Sequence, residues 1–424
     1  MKSKVASTLV YYSFDEVAEK LSLNKLKLKA RDYLPHGKYP VVDQGQEKIG
    51  GYSNDENLLI PNDPPFIVFG DHTKVKKYID FKFVPGADGV KVLKTKKGVN
   101  PKYFYYLLHT IKIDDKGYAR HFQFIEKGKF AIVRYEDQLQ IVSKLEELFS
   151  ELDKSIEQLK TAQQQLKLYR QSVLQWAFEG KLCQNQDLQD GRIKQDALIT
   201  PQSNPENAAN PPNPDSDKKE LPEGWKWVKL GDHAFVTKLA GFEFTKYVQY
   251  KEIGEIPVIR AQNVSKNGFV ERNFVFVDHE LMEHLTRSRI FGGEILMVFV
   301  GAGLGNVGIV PVGREFFLGP NVAKIAVSER FINKFIYYFL SSKMGFGNIS
   351  GKSKATAQGS ISMGNIREVV VPLASLTEQE QIIQEIETRL SVADKLEETI
   401  SQSLQQAEAL RQSILKQAFE GRLI

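Results

Sequence analysis

One stretch of this chain occurs twice, and the duplication limits the fold more than any other feature. Residues 166–182 read LKLYRQSVLQWAFEGKL and residues 407–423 read AEALRQSILKQAFEGRL. Overlaid, Arg170, Gln171 and Ser172 fall on Arg411, Gln412 and Ser413, and Leu174 falls on Leu415. Ala177, Phe178, Glu179 and Gly180 fall on Ala418, Phe419, Glu420 and Gly421. The register is 241 residues without a gap, and it also sets Asp137-Gln138 on Glu378-Gln379 and Asp153-Lys154 on Asp394-Lys395. A repeat this long and gapless marks a duplicated unit, so the fold is built in two halves.

Both copies end a long apolar stripe. In the first, Ile141, Leu145, Leu148, Leu152, Ile156, Leu159, Leu166, Val173 and Ala177 fall mostly at alternating spacings of three and four, with Gln163 and Arg170 filling two seam positions. Neither glycine nor proline interrupts before Gly180, a natural helix stop. The pattern predicts a coiled-coil helix over 135–182 and a second over 376–424, where Ile382, Ile386, Ala393, Ile400, Ala407, Ile414 and Ala418 repeat the stripe. Residues 183–220 are rich in Asn, Gln, Asp and Pro and poor in apolar groups, the composition of a flexible linker.

The remaining blocks, 1–134 and 221–375, read as mixed α/β domains. Strand-like runs occur at 39–45, 65–71, 81–93 and 129–135, and again at 255–264, 269–277, 295–313 and 322–327. Helices are predicted at 13–21 with Ser13 as N-cap, at 100–111 with Pro101 at the first position, and at 331–342. The blocks echo each other: Lys102-Tyr103-Phe104-Tyr105-Tyr106 resembles Lys334-Phe335-Ile336-Tyr337-Tyr338, and Val41 after Tyr39-Pro40 resembles Val258 after Ile256-Pro257. Elsewhere they diverge, which implies one fold carrying two surface chemistries.

Charge separates along these boundaries. Residues 1–134 carry +9 and 221–375 carry +5, whereas 135–182, 183–220 and 376–424 carry −2, −3 and −4. Two basic blocks joined by mildly acidic connectors suit a polyanion bound by two modules. No apolar run approaches the roughly 18–20 residues of a membrane span, and the N-terminus makes a poor secretion signal. Cys183 is the single cysteine, which excludes a disulfide framework or a cysteine-based zinc site and makes a reducing cytoplasm the expectation.

Catalytic motifs are weak. Asp63-Pro64-Pro65-Phe66 matches the short signature with which amino-methyltransferases grip a flipped base. The glycine-rich cofactor loop it would need has one candidate, Gly303-x-Gly305-x-x-Gly308, in the other half of the chain and with no helix after it. Both read better as hairpin turns. Asp71 with Asp80-Phe81-Lys82 mimics a magnesium-dependent nuclease only loosely. The histidines show no metal-ligand spacing, so no catalytic or metal site is expected. The basic, aromatic and amide clusters are stronger: Lys74, Lys76 and Lys77; Lys94 and Lys96; Tyr118, Arg120 and His121; Arg260, Gln262 and Asn263; Lys352, Lys354 and Gln358. Arginine pairs with guanine, amides pair with adenine and lysine neutralises phosphate, so these are candidate DNA contacts.

With its order of domain, helix, linker, domain and helix, the chain resembles the specificity subunits of type I restriction-modification systems. The residues that carry the likeness are the doubled Arg-Gln-Ser-x-Leu-x-x-Ala-Phe-x-Gly-x-Leu, the Leu-Pro-x-Gly-Trp opening at 221–225, and Thr377-Glu378-Gln379-Glu380-Gln381-Ile382 after Val370-Val371-Pro372-Leu373. The first half lacks such an opening. The resemblance implies an α/β chain with two target-recognition domains separated by two long antiparallel coiled-coil helices in a pseudo-two-fold arrangement. Each domain would read half of a bipartite asymmetric site on double-stranded DNA, in major grooves roughly 34 Å apart. The helices would set the spacing and bind two methyltransferase subunits through Arg170, Gln171, Leu174, Phe178, Arg411, Gln412, Leu415 and Phe419, with restriction subunits joining them. S-adenosylmethionine, ATP and magnesium would then belong to the partner subunits. A stand-alone methyltransferase or nuclease, or a scaffold without sequence recognition, are the other readings.

Overall fold

The computed structural model describes residues 10–86, 89–113, 120–182, 221–350 and 359–423. The chain divides into two compact units, 1–160 with 400–424 and 161–399. The division cuts through both long helices, so it does not follow the five segments expected from composition. Each unit contains one α/β domain, the first half of that domain's own long helix, and the second half of the other.

In the first unit, strands Ala18–Lys20, Val90–Thr95, Phe66–Gly70 and Lys76–Ile79 form an antiparallel sheet in that order. Strands Gly51–Ser53, Tyr39–Val42 and Val84–Pro85 form a second sheet, whose last pair is parallel. Strand Phe66–Gly70 shows why an uninterrupted apolar run suits a central position. Phe66 and Val68 pack with Val42, Ile79 and Phe83 on one face, while Ile67 and Phe69 pack on the other with Leu93, Phe104 and Leu108. Helix Pro101–Leu108 begins where expected, with the Asn100 side chain accepting from the Tyr103 N–H at 3.0 Å.

The predicted helix at 13–21 is a single turn, Phe14–Val17, although Ser13 and Glu16 do form a capping box. Ala18–Lys20 leaves the helix to pair with Leu93–Thr95 at the edge of the sheet. Edge pairing, a tertiary effect, outweighs local helix propensity here.

The second unit repeats this plan. Strands Ala234–Lys238, Val322–Val327, Ile295–Val298 and Val307–Ile309 take the places of the first sheet, and Val275–Val277, Ile256–Ile259, Phe316–Leu318 and Arg289–Ile290 extend the second. In both domains the strand before the long helix pairs antiparallel with the domain's opening strand: Lys129–Ile132 with Val10–Ser13, and Val370–Leu373 with Lys226–Lys229. The first half therefore has a structural opening, although its sequence lacks the Leu-Pro-x-Gly-Trp wording.

The long helices are Tyr135–Phe178 and Leu376–Phe419, 44 residues each, or about 66 Å at 1.5 Å per residue. Both end at a glycine of positive φ, Gly180 at 70° and Gly421 at 71°. There the N–H of Lys181 returns to the Trp176 carbonyl and that of Arg422 to the Gln417 carbonyl, each at 2.9 Å. A left-handed cap of this kind favours glycine. Within each unit the two helix halves pack antiparallel.

Candidate nucleic-acid interface

The predicted cluster on strand Lys76–Ile79 is divided by the alternation of the strand. Lys77 points inward: its side chain is 5% exposed, its Nζ donates to the Glu47 carbonyl, and Asp43 lies 3.5 Å away. Burial also pushes its pKa down. Lys77 is a structural lysine and not a DNA contact. Lys76 and Tyr78 lie on the other face and are partly exposed. Lys74, at φ 60°, closes the preceding turn with its N–H on the Gly70 carbonyl at 2.8 Å. Lys94 donates to the Asp63 carbonyl at 2.6 Å and sits 5.5 Å from the Phe66 ring centre, and Lys96 donates to the Asp15 carbonyl. Each of these two retains ammonium donors for a further ligand.

His121 is another correction. It is fully buried, with its N–H on the Asp71 carbonyl at 2.9 Å, its Nδ1 3.0 Å from the same oxygen, and its ring against Phe124. Asp71 accepts from the Phe122 N–H at 2.8 Å, and Lys91 lies 3.5 Å from it. The Asp71–His121 pair thus anchors the start of the helix Phe122–Glu126. Arg120 remains exposed, and Tyr118 lies outside the described residues. Asp80 pairs with Lys48 and Lys82 with Asp63, so the nuclease-like triplet is dispersed among structural contacts. Phe66 is fully buried and unable to stack on a base.

In the second domain Asn263 is fully buried. Its amide donates to the Val270 and Arg272 carbonyls at 3.1 and 2.8 Å, and its oxygen accepts from the Arg260 N–H at 3.0 Å. All of this holds the loop in place, so Asn263 is a positioning residue. The Arg260 guanidinium donates to the Asn273 carbonyl at 3.0 Å and lies 5.9 Å from the Tyr250 ring centre. Gln262 is exposed and shares the Asn273 carbonyl, also at 3.0 Å. Lys352, Lys354 and Gln358 lie outside the described residues. Gly303 and Gly305 lie in the turn of the Ile295–Ile309 hairpin, as expected, while Gly308 pairs with Leu296 in its second strand.

Sequence reasoning missed a basic ridge. Lys25, Lys27, Lys29 and Arg31 are all exposed, while Leu26 and Leu28 between them are half-buried. Leu28 bridges Gly86, next to the second sheet, and so ties down the segment between two short 3₁₀ turns, Asn24–Leu26 and Ala30–Asp32. Arg31 has one acidic neighbour, Asp32 at 3.7 Å, across an exposed pair. The signal was a basic residue at every second position. The same connection in the second domain carries Phe242, Tyr247 and Ile253 at 70%, 45% and 88% exposure. One site in the shared fold presents a row of cations in one copy and large exposed apolar side chains in the other.

The helix residues behave as a duplicated set. Gln138 is fully buried: its Oε1 accepts from the Asn100 N–H at 2.7 Å, and its Nε2 donates to the Gly98 and Val133 carbonyls at 3.0 and 2.8 Å. Gln379 repeats this with Ile332 at 2.9 Å, Arg330 at 2.9 Å and Ala374 at 3.0 Å. Lys102 pairs with Glu146 as Lys334 pairs with Glu387, the two glutamates lying one register apart. Arg411 pairs with Asp153 across the helices and covers the Phe149 ring; Arg170 reaches Asp394 at 2.7 Å and Glu397 at 2.9 Å. Phe178 lies against Phe335 and Phe339, and Phe419 against Tyr103. Phe178, Leu415 and Phe419 are therefore interior residues of this chain, and the partner contact expected of them is withdrawn. Leu174 is half-buried beside the same core, and Gln171 and Gln412 are exposed.

The description "Type I restriction modification DNA specificity domain" belongs to the family that matches residues 222–406. The EcoBI type I restriction enzyme specificity subunit of Escherichia coli is 27% identical over 67% of this chain and 56% of its own length. The StySPI specificity subunit of Salmonella potsdam is 24% identical over 49% and 45%. The matches thus span about half the length of these relatives. The chain is thus similar to type I restriction enzyme specificity subunits, and its residues 222–406 carry the family's DNA specificity domain. Solved structures show a similar fold. One, from work on complex assembly and conformational transition of the type I R-M system, covers 97% of this chain and 98% of its own at 15% identity and a TM-score of 0.67. The HsdS subunit from Thermoanaerobacter tengcongensis covers 97% of each at 15% identity and a TM-score of 0.51. Among the described residues no helix is long and apolar enough to cross a membrane, and no three His, Cys, Asp or Glu side chains gather to hold a metal.

Proposed function

We propose that this chain is the sequence-reading subunit of a type I restriction-modification complex. Each domain reads one half of a bipartite asymmetric site on double-stranded DNA. The observation that carries this reading is the contrast between what the duplication preserves and what it releases. The helix pairs and the Gln138 and Gln379 anchors are the same in both halves, whereas the exposed loops differ, Lys25–Arg31 against Phe242–Ile253. Selection for two different half-sites on one scaffold leaves that pattern.

The exposed cations serve phosphate, and the exposed arginine and amide groups, Arg120 and Gln262 among them, serve base edges. Tyr118 in the first domain and Lys352, Lys354 and Gln358 in the second precede equivalent helices, Phe122–Glu126 and Met363–Arg367, one register apart. They are retained as candidate contacts. The repeated exposed positions, Gln171 and Gln412, suit two copies of one methyltransferase subunit, to which restriction subunits add. Bond-making, with S-adenosylmethionine, ATP and magnesium, belongs to those partners, and the complex works in the cytoplasm where its DNA lies.

Methylome sequencing of cells that co-express the cognate methyltransferase tests the reading. Arg260→Ala with Gln262→Ala changes the bases methylated in one half-site and leaves the other as it was. Simultaneous change in both half-sites would overturn the division of labour.

A further inference from the structure

The first domain contains a cavity of about 400 Å³ along the exposed edge of strand Lys76–Ile79. It is lined by Lys48, Lys76, Lys102, Tyr78 and Tyr105 together with two acids, Asp80 and Glu146. The acids are taken: Asp80 lies 3.3 Å from Lys48, and Glu146 pairs with Lys102. Lys77 also lines the cavity but is held by Asp43 and Glu47, as described. Among the described residues no carboxylate or carbonyl engages the ammonium of Lys76. Tyr78 and Tyr105 meet at 6.0 Å between ring centres, and Lys102 stands 5.7 Å from the Tyr78 ring centre.

The second domain fills the equivalent place differently. Ile67 faces Tyr78 in the register in which Ile295 faces Ile309, so Val307 and Ile309 stand where Lys76 and Tyr78 stand. The hairpin Val264–Phe269 lies beside that edge strand, and an added Cβ on Gly268 would come within 2.9 Å of the hydroxyl of Tyr337, the counterpart of Tyr105. One copy of the fold is apolar there and covered; the other is open and cationic.

We propose that the cavity of the first domain binds a phosphate group, with Lys76 as the charge that meets the anion and Lys48 and Lys102 beside it. An uncompensated, half-buried ammonium is costly to retain unless an anion joins it. The same burial pushes the Lys76 pKa down, and neutralisation by phosphate would relieve it. Two sources share this chemistry, a small phosphorylated molecule and the backbone of duplex DNA, and the volume admits a mononucleotide-sized ligand.

Acylation of Lys76 in the full-length chain, read by peptide mass spectrometry, is followed with inorganic phosphate, AMP or a short duplex added. Protection by phosphate and AMP, with AMP binding weakened roughly tenfold or more in Lys76→Met and retained in Lys76→Arg, assigns a small ligand. Protection by duplex alone, with the salt dependence of duplex binding in Lys76→Met reduced by about one counterion, assigns a backbone phosphate. Equal acylation of Lys76 with every probe overturns the proposal. The acylation readout uses the wild-type chain and does not depend on how the variants fold. Phosphate and AMP report on the cavity even if the chain reads no DNA.

Discussion

At the scale of single residues, the two buried glutamines hold the domains to their helices. Gln138 satisfies one N–H and two carbonyls with one side chain, and Gln379 repeats the arrangement. Gln138→Leu fills the space but leaves those backbone groups unpaired in the interior, at a cost of about 1–3 kcal/mol for an orphaned group. Hydrogen exchange should show loosening near Gly98–Asn100, with residues 330–332 unaffected; Gln379→Leu should give the reverse. His109 offers a test by pH. Burial, with Lys76 and Arg411 nearby, pushes its pKa down to about 4 from an ordinary 6.5. Because the folded pKa is lowered, the stability held by neutral His109 is complete above pH 6.5 and drains away as pH falls towards 4. Between pH 7.5 and 5 that amounts to about 2 kcal/mol. His109→Gln should flatten the acid limb by that amount in urea titrations followed by exchange within the first unit; an unchanged limb would place the acid sensitivity elsewhere. Residue type alone did not separate such interior polar groups from surface ones. Lys77, His121 and Asn263 each look like DNA contacts in the sequence, and each is absorbed by a neighbour remote in sequence or by a loop closing on itself. Gln138 and Gln379 were visible as a repeated pair, but their role depends on carbonyls of a different element.

At the scale of elements, each long helix belongs to one domain at its start and to the other at its end. Phe178 closes the first helix against Phe335 and Phe339 of the second domain, at 5.3 and 5.1 Å, and Phe419 closes the second against Tyr103 of the first, at 5.1 Å. Phe178→Ala should therefore cost about 3–5 kcal/mol in the second unit, and Phe419→Ala a similar amount in the first. Exchange mapped by peptide would check which unit loosens; loosening of the domain that precedes each helix in sequence would contradict the crossed packing. The ion pairs between the helices should matter less. Arg411 and Asp153 are 26% and 62% exposed, so a double-mutant cycle should return about 0.2–1 kcal/mol, diminishing with salt. The helices were legible because a 3–4 spacing over 44 residues has no competing interpretation. The turn at Phe14–Val17 was overextended because nothing local announces that Ala18–Lys20 will join a sheet edge.

At the scale of the molecule, duplication ties helix length to function in a way that a single insertion cannot reveal. The cross-helix pairs come in register, Arg411 with Asp153 and Arg170 with Asp394. Adding residues to one helix alone slides one set of partners past the other and sacrifices seam packing. Adding a heptad to both, within 150–165 and at the positions 241 residues later, preserves the seam and every pair beyond it. Seven residues lengthen an α-helix by about 10 Å, which is about three base pairs at 3.4 Å of rise per pair. If the helices set the spacing between two reading domains, the doubly extended chain should methylate the same two half-sites with an unread spacer longer by about three base pairs. The singly extended chain should lose activity with a fall in stability. Methylome sequencing with the cognate methyltransferase decides the matter: an unchanged spacer in a stable, doubly extended chain would mean that the helices hold partners without measuring DNA.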